Sequence, residues 1–219
     1  MGTITRNFAN NLTTSGLLKP TAFNNDSFDN VTAVPSGSVE TGDMQFISSA
    51  TASASASIEF TSGIDSTYKE YIFYFVNMRP QTDNVQFDFN VSTDGGSNYN
   101  VAKTSTAFRA YHYEDGTGGD LGYRTDLDLA QGTGFQNTIF SLGNGADESC
   151  AGSLQIFNPS SDTFVKHYIS TLEGLSYSDL TVSCFVGGYA NTQSPINAIK
   201  FQMSSGNIDS GQILLYGIN

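Results

Sequence analysis

Residues 85–99 read VQFDFNVSTDGGSNY, and the alternation of the first eight decides the fold class. The apolar side chains of this segment fall on one face of an extended chain: Val85, Phe87, Phe89 and Val91. Polar residues occupy the other face, which is the two-residue period of a half-buried β-strand. The glycine-rich stretch that follows predicts a turn that returns the chain antiparallel.

The turn itself carries a recognisable spacing. Ser92, Asp94, Gly96 and Tyr99 match the pattern S-x-D-x-G-x-x-aromatic of the Asp-box hairpin, which occurs in sialidases and other β proteins. Asp94 is placed to accept backbone N–H groups, and glycine tolerates the positive φ angles that such a turn needs. We expect this motif to shape the turn and to perform no chemistry.

Strand patterns recur from Met44 to the end of the chain. They predict strands at 50–61, 69–78, 101–113, 135–142, 150–157, 163–172, 180–189, 198–204 and 212–218, with a long loop at 114–134. Segment 50–61 places alanines on one face, which suits a tightly covered strand or a subunit contact. Segment 69–78 is apolar on both faces and predicts a central strand, whereas 101–113 is expected to pair back across the turn. Roughly ten to twelve short strands predict an all-β, antiparallel β-sandwich or jelly roll over residues 41–219.

The composition agrees with one β domain. Sixteen Phe and eleven Tyr among 219 residues supply large side chains for a sandwich interior, and 22 Gly suit tight turns. The formal net charge of −12 repels phosphate backbones, so we expect no nucleic-acid partner. No run of residues is long and apolar enough to predict membrane insertion, and residues 1–12 lack the apolar centre of a signal peptide.

Residues 1–40 differ from the rest because their apolar side chains follow no clear period. Such a segment buries itself poorly alone, which leaves a floppy leader or an extended arm that docks on a neighbouring subunit. We favour the arm, for attachment or oligomerisation. Its candidate anchors are Ile4, Phe8, Leu12, Leu17, Leu18, Phe23 and Phe28.

Few residues suit catalysis or metal binding. His112 and His167 show no triad spacing, so we expect hydrogen-bonded strand residues and no enzyme activity. Cys150 and Cys184 lie in predicted strands, and we expect two buried thiols in preference to a disulfide. We expect no cofactor, with Ca²⁺ as the alternative at the carboxylates of the long loop. These carboxylates are Glu114, Asp115, Asp120, Asp126 and Asp128.

The same loop is bordered by aromatic side chains. Tyr111, Tyr113 and Tyr123, with Arg124, form a candidate contact for a glycan or host receptor, because sugar rings stack on aromatic faces. The alternative is that these tyrosines simply pack in half-buried strands.

Several stretches resemble a family of uncharacterised virion proteins of tailed bacteriophages, especially marine ones. They are FTSGIDSTYKEYIFYFVNMRP (60–80), VSTDGGSNYNVAKTSTAFRAYH (91–112), LQIFNPSSDTFVKHY (154–168) and INAIKFQMSSGNIDSGQILLYGIN (196–219). The resemblance covers residues 44–219 and implies a β-sandwich displayed on a virion, in a tail-fibre, tail-tip or head-decoration position. It brings no catalytic residues with it.

The resemblance implies a non-enzymatic structural protein, made in the host cytoplasm and assembled into the virion. By analogy with other phage appendages we expect a homo-oligomer, with a trimer favoured, and other virion proteins as partners of the arm. A host-receptor or carbohydrate-binding module is the alternative. A glycan depolymerase is a further alternative, which the Asp-box spacing and the acidic loop suggest.

Overall fold

The computed structural model describes residues 44–218, and this part of the chain contains thirteen β-strands and no helix. The strands are β1 (Met44–Thr51), β2 (Ile58–Phe60), β3 (Glu70–Pro80), β4 (Val85–Ser92), β5 (Lys103–Tyr113), β6 (Gly119–Tyr123), β7 (Ala130–Gly132), β8 (Gln136–Leu142), β9 (Cys150–Phe157), β10 (Lys166–Ser176), β11 (Leu180–Ala190), β12 (Ala198–Met203) and β13 (Ile208–Ile218). Every strand pairing is antiparallel, so the predicted all-β antiparallel class is confirmed.

The strands form two hydrogen-bonded ladders within one continuous sheet. The long ladder runs β1-β13-β3-β9-β10-β11-β5, with β6 and β7 both pairing with β5. The short ladder runs β8-β4-β12-β2. A single pairing, Ser176 of β10 with Leu142 of β8, joins them. The jelly-roll detail stays a prediction.

Aromatic side chains fill the space between the two ladders. Phe73 of β3 lies 5.3 Å, between ring centroids, from Phe201 of β12. Phe89 of β4 meets Tyr168 of β10 edge-on at 5.2 Å. These rings are buried, and folding removes a large apolar area of each ring from water. Their burial therefore dominates the stability of the core.

Strand β4 matches its predicted bounds, but its polar face is not exposed. Asp88 is 4% exposed, and Asn90 and Ser92 are fully buried. The amide of Asn90 donates to the carbonyl oxygens of Tyr99 and Thr133, so backbone from two loops covers this face. The prediction of a half-buried strand was therefore wrong for the polar side.

The predicted hairpin across the Asp-box turn was also wrong. β4 pairs with β8 and β12, whereas β5 pairs with β11 over its whole length, from Lys103 opposite Ala190 to Tyr113 opposite Leu180. The ten residues between β4 and β5 form a loop much longer than the two-residue turn of a tight hairpin. This length lets the chain cross from the short ladder to the long one.

The alanine-rich segment is not one flat strand. β1 ends at Thr51, and β2 covers only Ile58–Phe60. Between them Ala54 has a φ of 49°, and Ala54 and Ala56 are exposed. Here the chain stops pairing with β13 of the long ladder and begins to pair with β12 of the short ladder. This change of partner breaks the alternation. A subunit contact at this segment stays a prediction.

Most other strand predictions hold. β9 matches its predicted range, and β8, β11 and β12 start or end within one residue of theirs. Segment 114–134 is not all loop, because it contains β6 and β7. β3 is central between β13 and β9 as expected, although Val76 on it is 42% exposed.

Both cysteines are buried free thiols, as predicted.

The predicted arm at 1–40, with its anchors from Ile4 to Phe28, lies outside the described residues, and its role stays a prediction. Within residues 44–218 no helix has the length and apolarity that a membrane crossing requires.

Candidate functional site

A concave surface lies at the end of the long ladder, where β5 ends and β11 begins. It is a groove of about 230 Å³, which we call the arginine groove. It is lined by Arg109, Tyr111, Tyr113, Arg124, Phe140, Ser141, Ser176, Tyr177, Ser178, Leu180 and Val182. The pairing of Ser176 with Leu142, which joins the two ladders, borders it.

Strand β5 supplies one wall. Arg109, Tyr111 and Tyr113 stand at alternate positions and therefore point to the same face. The Arg109 guanidinium carbon lies 4.3 Å from the centre of the Tyr111 ring, a cation–π distance. Tyr111 meets Tyr113 edge-on at 5.7 Å. The strand thus presents one flat cation and two mutually perpendicular aromatic rings.

The second cation is held firmly. Arg124 follows β6, and its guanidinium carbon lies 3.9 Å from the centre of the Phe140 ring. Its Nε donates to Asp126 Oδ1 at 2.7 Å, and its Nη2 donates to Asp126 Oδ2. These two bonds lower the pKa of Asp126. The bidentate pair fixes the orientation of Arg124 and offsets its charge.

Arg109 has no comparable partner. Its Nε and Nη1 are buried, and no atom of residues 44–218 accepts a hydrogen bond from either. The nearest carboxylate oxygen, Asp120 Oδ2, lies 3.8 Å from Nη1, which is an ion pair but too long for a hydrogen bond. A buried charged donor without an acceptor is costly. The guanidinium is therefore suited to an incoming oxygen atom.

The facing wall supplies hydroxyl groups. Ser141 of β8 has a φ of 58°, a left-handed conformation that is strained for a residue other than glycine. Its carbonyl accepts the backbone N–H of Tyr177 at 3.1 Å, which ties β8 to the end of β10. Ser176 and Ser178 flank Tyr177 on the same wall. The groove thus combines ring faces, cations and small hydroxyls, which are the groups that bind sugars and other polar small molecules.

The structure brings together three of the four predicted contact residues. Tyr111, Tyr113 and Arg124 line the arginine groove. Tyr123 does not, because it pairs in register with Phe108 and lies on the opposite face of β5 and β6. It is 55% exposed there, and its hydroxyl donates to Asp128 at 2.5 Å. Its inclusion with the other two tyrosines was wrong.

Sequence reasoning missed several residues of the groove. Arg109 had a usable signal, since it continues the alternation of Tyr111 and Tyr113 toward the start of β5. Phe140 and Tyr177 had none, because they come from β8 and from the turn after β10, far along the chain. Only the pairing of distant strands places them here.

The acidic loop does not form the candidate calcium site. Among residues 44–218 no group of three or more His, Cys, Asp or Glu side chains is arranged to hold a metal ion. Asp126 pairs with Arg124, Asp128 accepts from Tyr123, and Asp115 accepts from Thr117 at 2.6 Å. Each of these three carboxylates serves a separate local bond.

The Asp-box turn has the geometry that its spacing suggests. Asp94 accepts the backbone N–H of Asn98 at 2.9 Å and its side-chain amide at 2.7 Å. Hydrogen bonds from Asn98 and Ser92 lower the pKa of Asp94 to about 2. Gly95 and Gly96 have φ angles of 72° and 92°. The carboxylate is occupied in holding the turn, which gives no support to a role in glycan hydrolysis.

The two histidines lie apart from the groove lining. His112 is exposed on β5, and His167 is exposed on β10. The His167 ring contacts the Tyr189 ring edge-on at 6.2 Å. Neither side chain is among those that line the groove.

Comparison with known proteins found no matching family model, no matching curated protein and no matching solved structure. The resemblance to bacteriophage virion proteins therefore stays a prediction.

Proposed function

We propose that this chain is a non-enzymatic structural protein of a tailed bacteriophage particle. Residues 41–219 form the domain displayed on the particle, and residues 1–40 attach it to other virion proteins. The protein is made in the host cytoplasm and assembles as a homo-oligomer, with a trimer favoured, in a tail-fibre, tail-associated or capsid-decorating position. The quoted sequence stretches support the family, and the surface of the sheet supports the association.

The observation that carries this proposal is an apolar patch on the outer face of β5, β6 and β11. Phe108 and Phe185 stack with ring centroids 4.9 Å apart. Tyr123 pairs in register with Phe108, and Leu121 pairs with Ala110 beside it. Phe108, Leu121 and Tyr123 are 45%, 68% and 55% exposed. We call these three residues, together with Phe185, the outer patch.

An exposed group of large apolar side chains on one sheet face is typical of a protein–protein contact. Covering it with a second copy of the chain removes these side chains from water at roughly 25 cal/mol per Å². Strand β5 keeps the patch rigid because it pairs with β11 along its full length. The patch therefore supports an assembled protein in preference to an isolated one.

Particle incorporation tests the attachment role. We expect a chain that lacks residues 1–35 to keep the circular dichroism spectrum of a β protein and to be missing from purified particles. The matched control is the full chain, produced and mixed with assembling particles in the same way. Normal incorporation of the shortened chain would remove the arm from the proposal.

A saccharide-binding role is the second candidate, and the arginine groove favours it. Tyr111 and Tyr113 offer ring faces for a pyranose, and Arg109 lacks an acceptor for two buried donors. The volume of about 230 Å³ is below the ~300–1,000 Å³ of sites for drug-sized ligands, so the groove suits a smaller ligand, such as a monosaccharide. Such a site on a displayed domain would let a particle touch host glycan.

Calorimetric titration with neutral and carboxylate-bearing sugars tests this second role. We expect Arg109→Gln to weaken binding about tenfold or more, since a hydrogen bond to a charged group contributes ~1.5–3 kcal/mol. Tyr113→Ala should also weaken binding, because it removes an aromatic face on which a sugar ring stacks. Arg79→Gln is the matched control, because Arg79 makes three hydrogen bonds away from the groove. No heat of binding with any sugar, or equal loss in the control, would leave only the structural role.

A further inference from the structure

Lys103 and Asn90 form a buried contact that no role described above uses. Both residues are fully buried. Lys103 Nζ lies 2.6 Å from Asn90 Oδ1 and 2.9 Å from the carbonyl oxygen of Val101. No carboxylate of residues 44–218 forms an ion pair with this amine. Burying an ammonium group without a counter-charge costs free energy, so removal of the charge would stabilise the folded chain.

The geometry places the amine next to an electrophilic carbon. Because a C=O bond is about 1.2 Å long, a nitrogen 2.6 Å from Asn90 Oδ1 lies roughly 3–4 Å from Asn90 Cγ. This overlaps the separation of near-attack conformers, ~3–3.5 Å. Burial also lowers the pKa of Lys103 to about 8, so a useful share of the amine is neutral near that pH.

The carboxamide of Asn90 is held at both ends. Its Oδ1 also accepts the backbone N–H of Val91 at 2.9 Å, a donor placed where negative charge would develop on the oxygen. Its Nδ2 donates to the carbonyl oxygens of Tyr99 and Thr133 at 2.7 and 3.0 Å. These two acceptors fix which end of the amide faces the lysine.

A buried acid stands on the same strand face. Asp88 is two residues before Asn90 on β4, so both side chains point to the same side. It accepts one hydrogen bond, from Asn137 Nδ2 at 2.6 Å. Burial raises the pKa of Asp88 to about 6, which leaves part of it protonated near neutral pH. Its hydrogen bond goes to Asn137 and not to Lys103 or Asn90, so Asp88 takes no direct part in the step proposed below.

We propose that Lys103 and Asn90 join in an intramolecular isopeptide bond. The Nζ lone pair forms a bond to Asn90 Cγ, the Cγ–Nδ2 bond breaks with its electron pair on nitrogen, and ammonia leaves with the proton that Nζ gives up. The balance is one ammonium and one carboxamide giving one secondary amide and one ammonium ion, with no oxidant or reductant. The bond ties the end of β4 to the start of β5 and closes the Asp-box loop covalently.

Intact mass measurement of the denatured full chain tests this proposal. After incubation at about pH 8 we expect a mass about 17 Da below that of the sequence, the mass of one ammonia molecule. Trypsin should fail to cut after Lys103, and fragmentation should place the loss on a peptide that contains Asn90 and Lys103. A chain that keeps the full sequence mass would overturn the proposal.

Lys103→Met is the decisive variant, because cyclisation of an asparagine elsewhere, for instance at Asn144–Gly145, gives the same mass loss without a lysine. We expect this variant to keep its full sequence mass. A loss of the same size in Lys103→Met would contradict the bond. If the variant folds poorly, fragmentation of the wild-type chain still decides the question, because only the isopeptide bond links the peptide of Asn90 to that of Lys103.

Discussion

Phe75 of β3 and Phe201 of β12 contact each other across the interior, with ring centroids 5.3 Å apart. Phe201 also stacks on Phe87 of β4 at 5.9 Å and meets Phe60 of β2 edge-on at 6.3 Å. One ring thus joins the long ladder to three strands of the short ladder, its own included. We regard it as the centre of the core.

Truncating this ring should be costly. We expect Phe201→Ala to lower the free energy of unfolding by about 3–5 kcal/mol, because the cavity it leaves is lined by other rings that cannot all collapse into it. Urea denaturation followed by tyrosine fluorescence measures the change. Phe164→Ala is the matched control, since Phe164 is 69% exposed and should change stability by less than about 0.5 kcal/mol. Similar losses in the two variants would contradict this assignment of the core.

Asp88 should give the fold a distinctive pH dependence. Its folded-state pKa of about 6 lies above the ordinary 3.8, because burial penalises the carboxylate. Between these two pH values the folded chain therefore binds more protons than the unfolded chain. The contribution of Asp88 to the free energy of unfolding is consequently full below pH 3.8 and is lost as the pH rises through 6. The loss is about 3 kcal/mol at most. Chemical denaturation across this range should show wild type losing stability relative to Asp88→Asn.

Asp94→Asn is an informative comparison for that experiment. Hydrogen bonds lower the pKa of Asp94, so its contribution has the opposite sign and disappears as the pH falls through about 2. The free energy of unfolding of the wild type should increase relative to that of Asp94→Asn as the pH rises above that value. If the stabilities of the two variants relative to wild type changed with pH in the same direction, Asp88 would not be buried as described.

The two glycines of the Asp-box turn should differ in their tolerance of a methyl group. A Cβ on Gly96 would lie 2.9 Å from the Tyr99 hydroxyl, whereas a Cβ on Gly95 would meet no atom within 4 Å. Both have positive φ, so both alanine variants carry backbone strain of ~1–3 kcal/mol. We expect Gly96→Ala to be the less stable of the two in thermal unfolding. Equal melting temperatures would exclude the close packing of Tyr99 against this turn.

The thiols should react only when the chain unfolds. Cys150 and Cys184 are buried, and burial raises the pKa of Cys184 to about 12. Since the thiolate is the reactive form, a disulfide reagent such as Ellman's should detect no thiol in the native protein and two in denaturant. Fewer than two in denaturant would indicate a disulfide, and rapid reaction of the native protein would contradict the burial.

The outer patch should hold copies of the chain together. We expect Phe108→Ser combined with Leu121→Asn to lower the mass measured by light scattering after size-exclusion chromatography. Phe164→Ser should leave that mass unchanged, because Phe164 is at least as exposed as either patch residue but lies in the loop before β10. An unchanged oligomer in the patch variant would place the contact elsewhere.

The sequence predicts the strands well because the alternation of side chains is a local property. Cys150–Phe157 and Val85–Ser92 were assigned to the residue from this pattern alone. Strand pairing is not local, so the partner of β5 was assigned wrongly. The burial of Asn90 was also missed, since it depends on backbone near Tyr99 and Thr133 reaching over β4.

The candidate site follows the same rule. Tyr111 and Tyr113 were found because they alternate on one strand, which also holds Arg109. Tyr123 was placed with them because the sequence gives no sign of β6, and without that strand its face could not be assigned. The facing wall comes from β8 and the β10–β11 turn, which no local pattern connects to β5.

Electron cryomicroscopy of the purified particle tests the central proposal most directly. We expect density for an antiparallel β domain of residues 41–219 on the outer surface of the virion, repeated by the symmetry of its oligomer and joined to the particle through residues 1–40. A particle that assembles fully and contains no copy of this chain would contradict it.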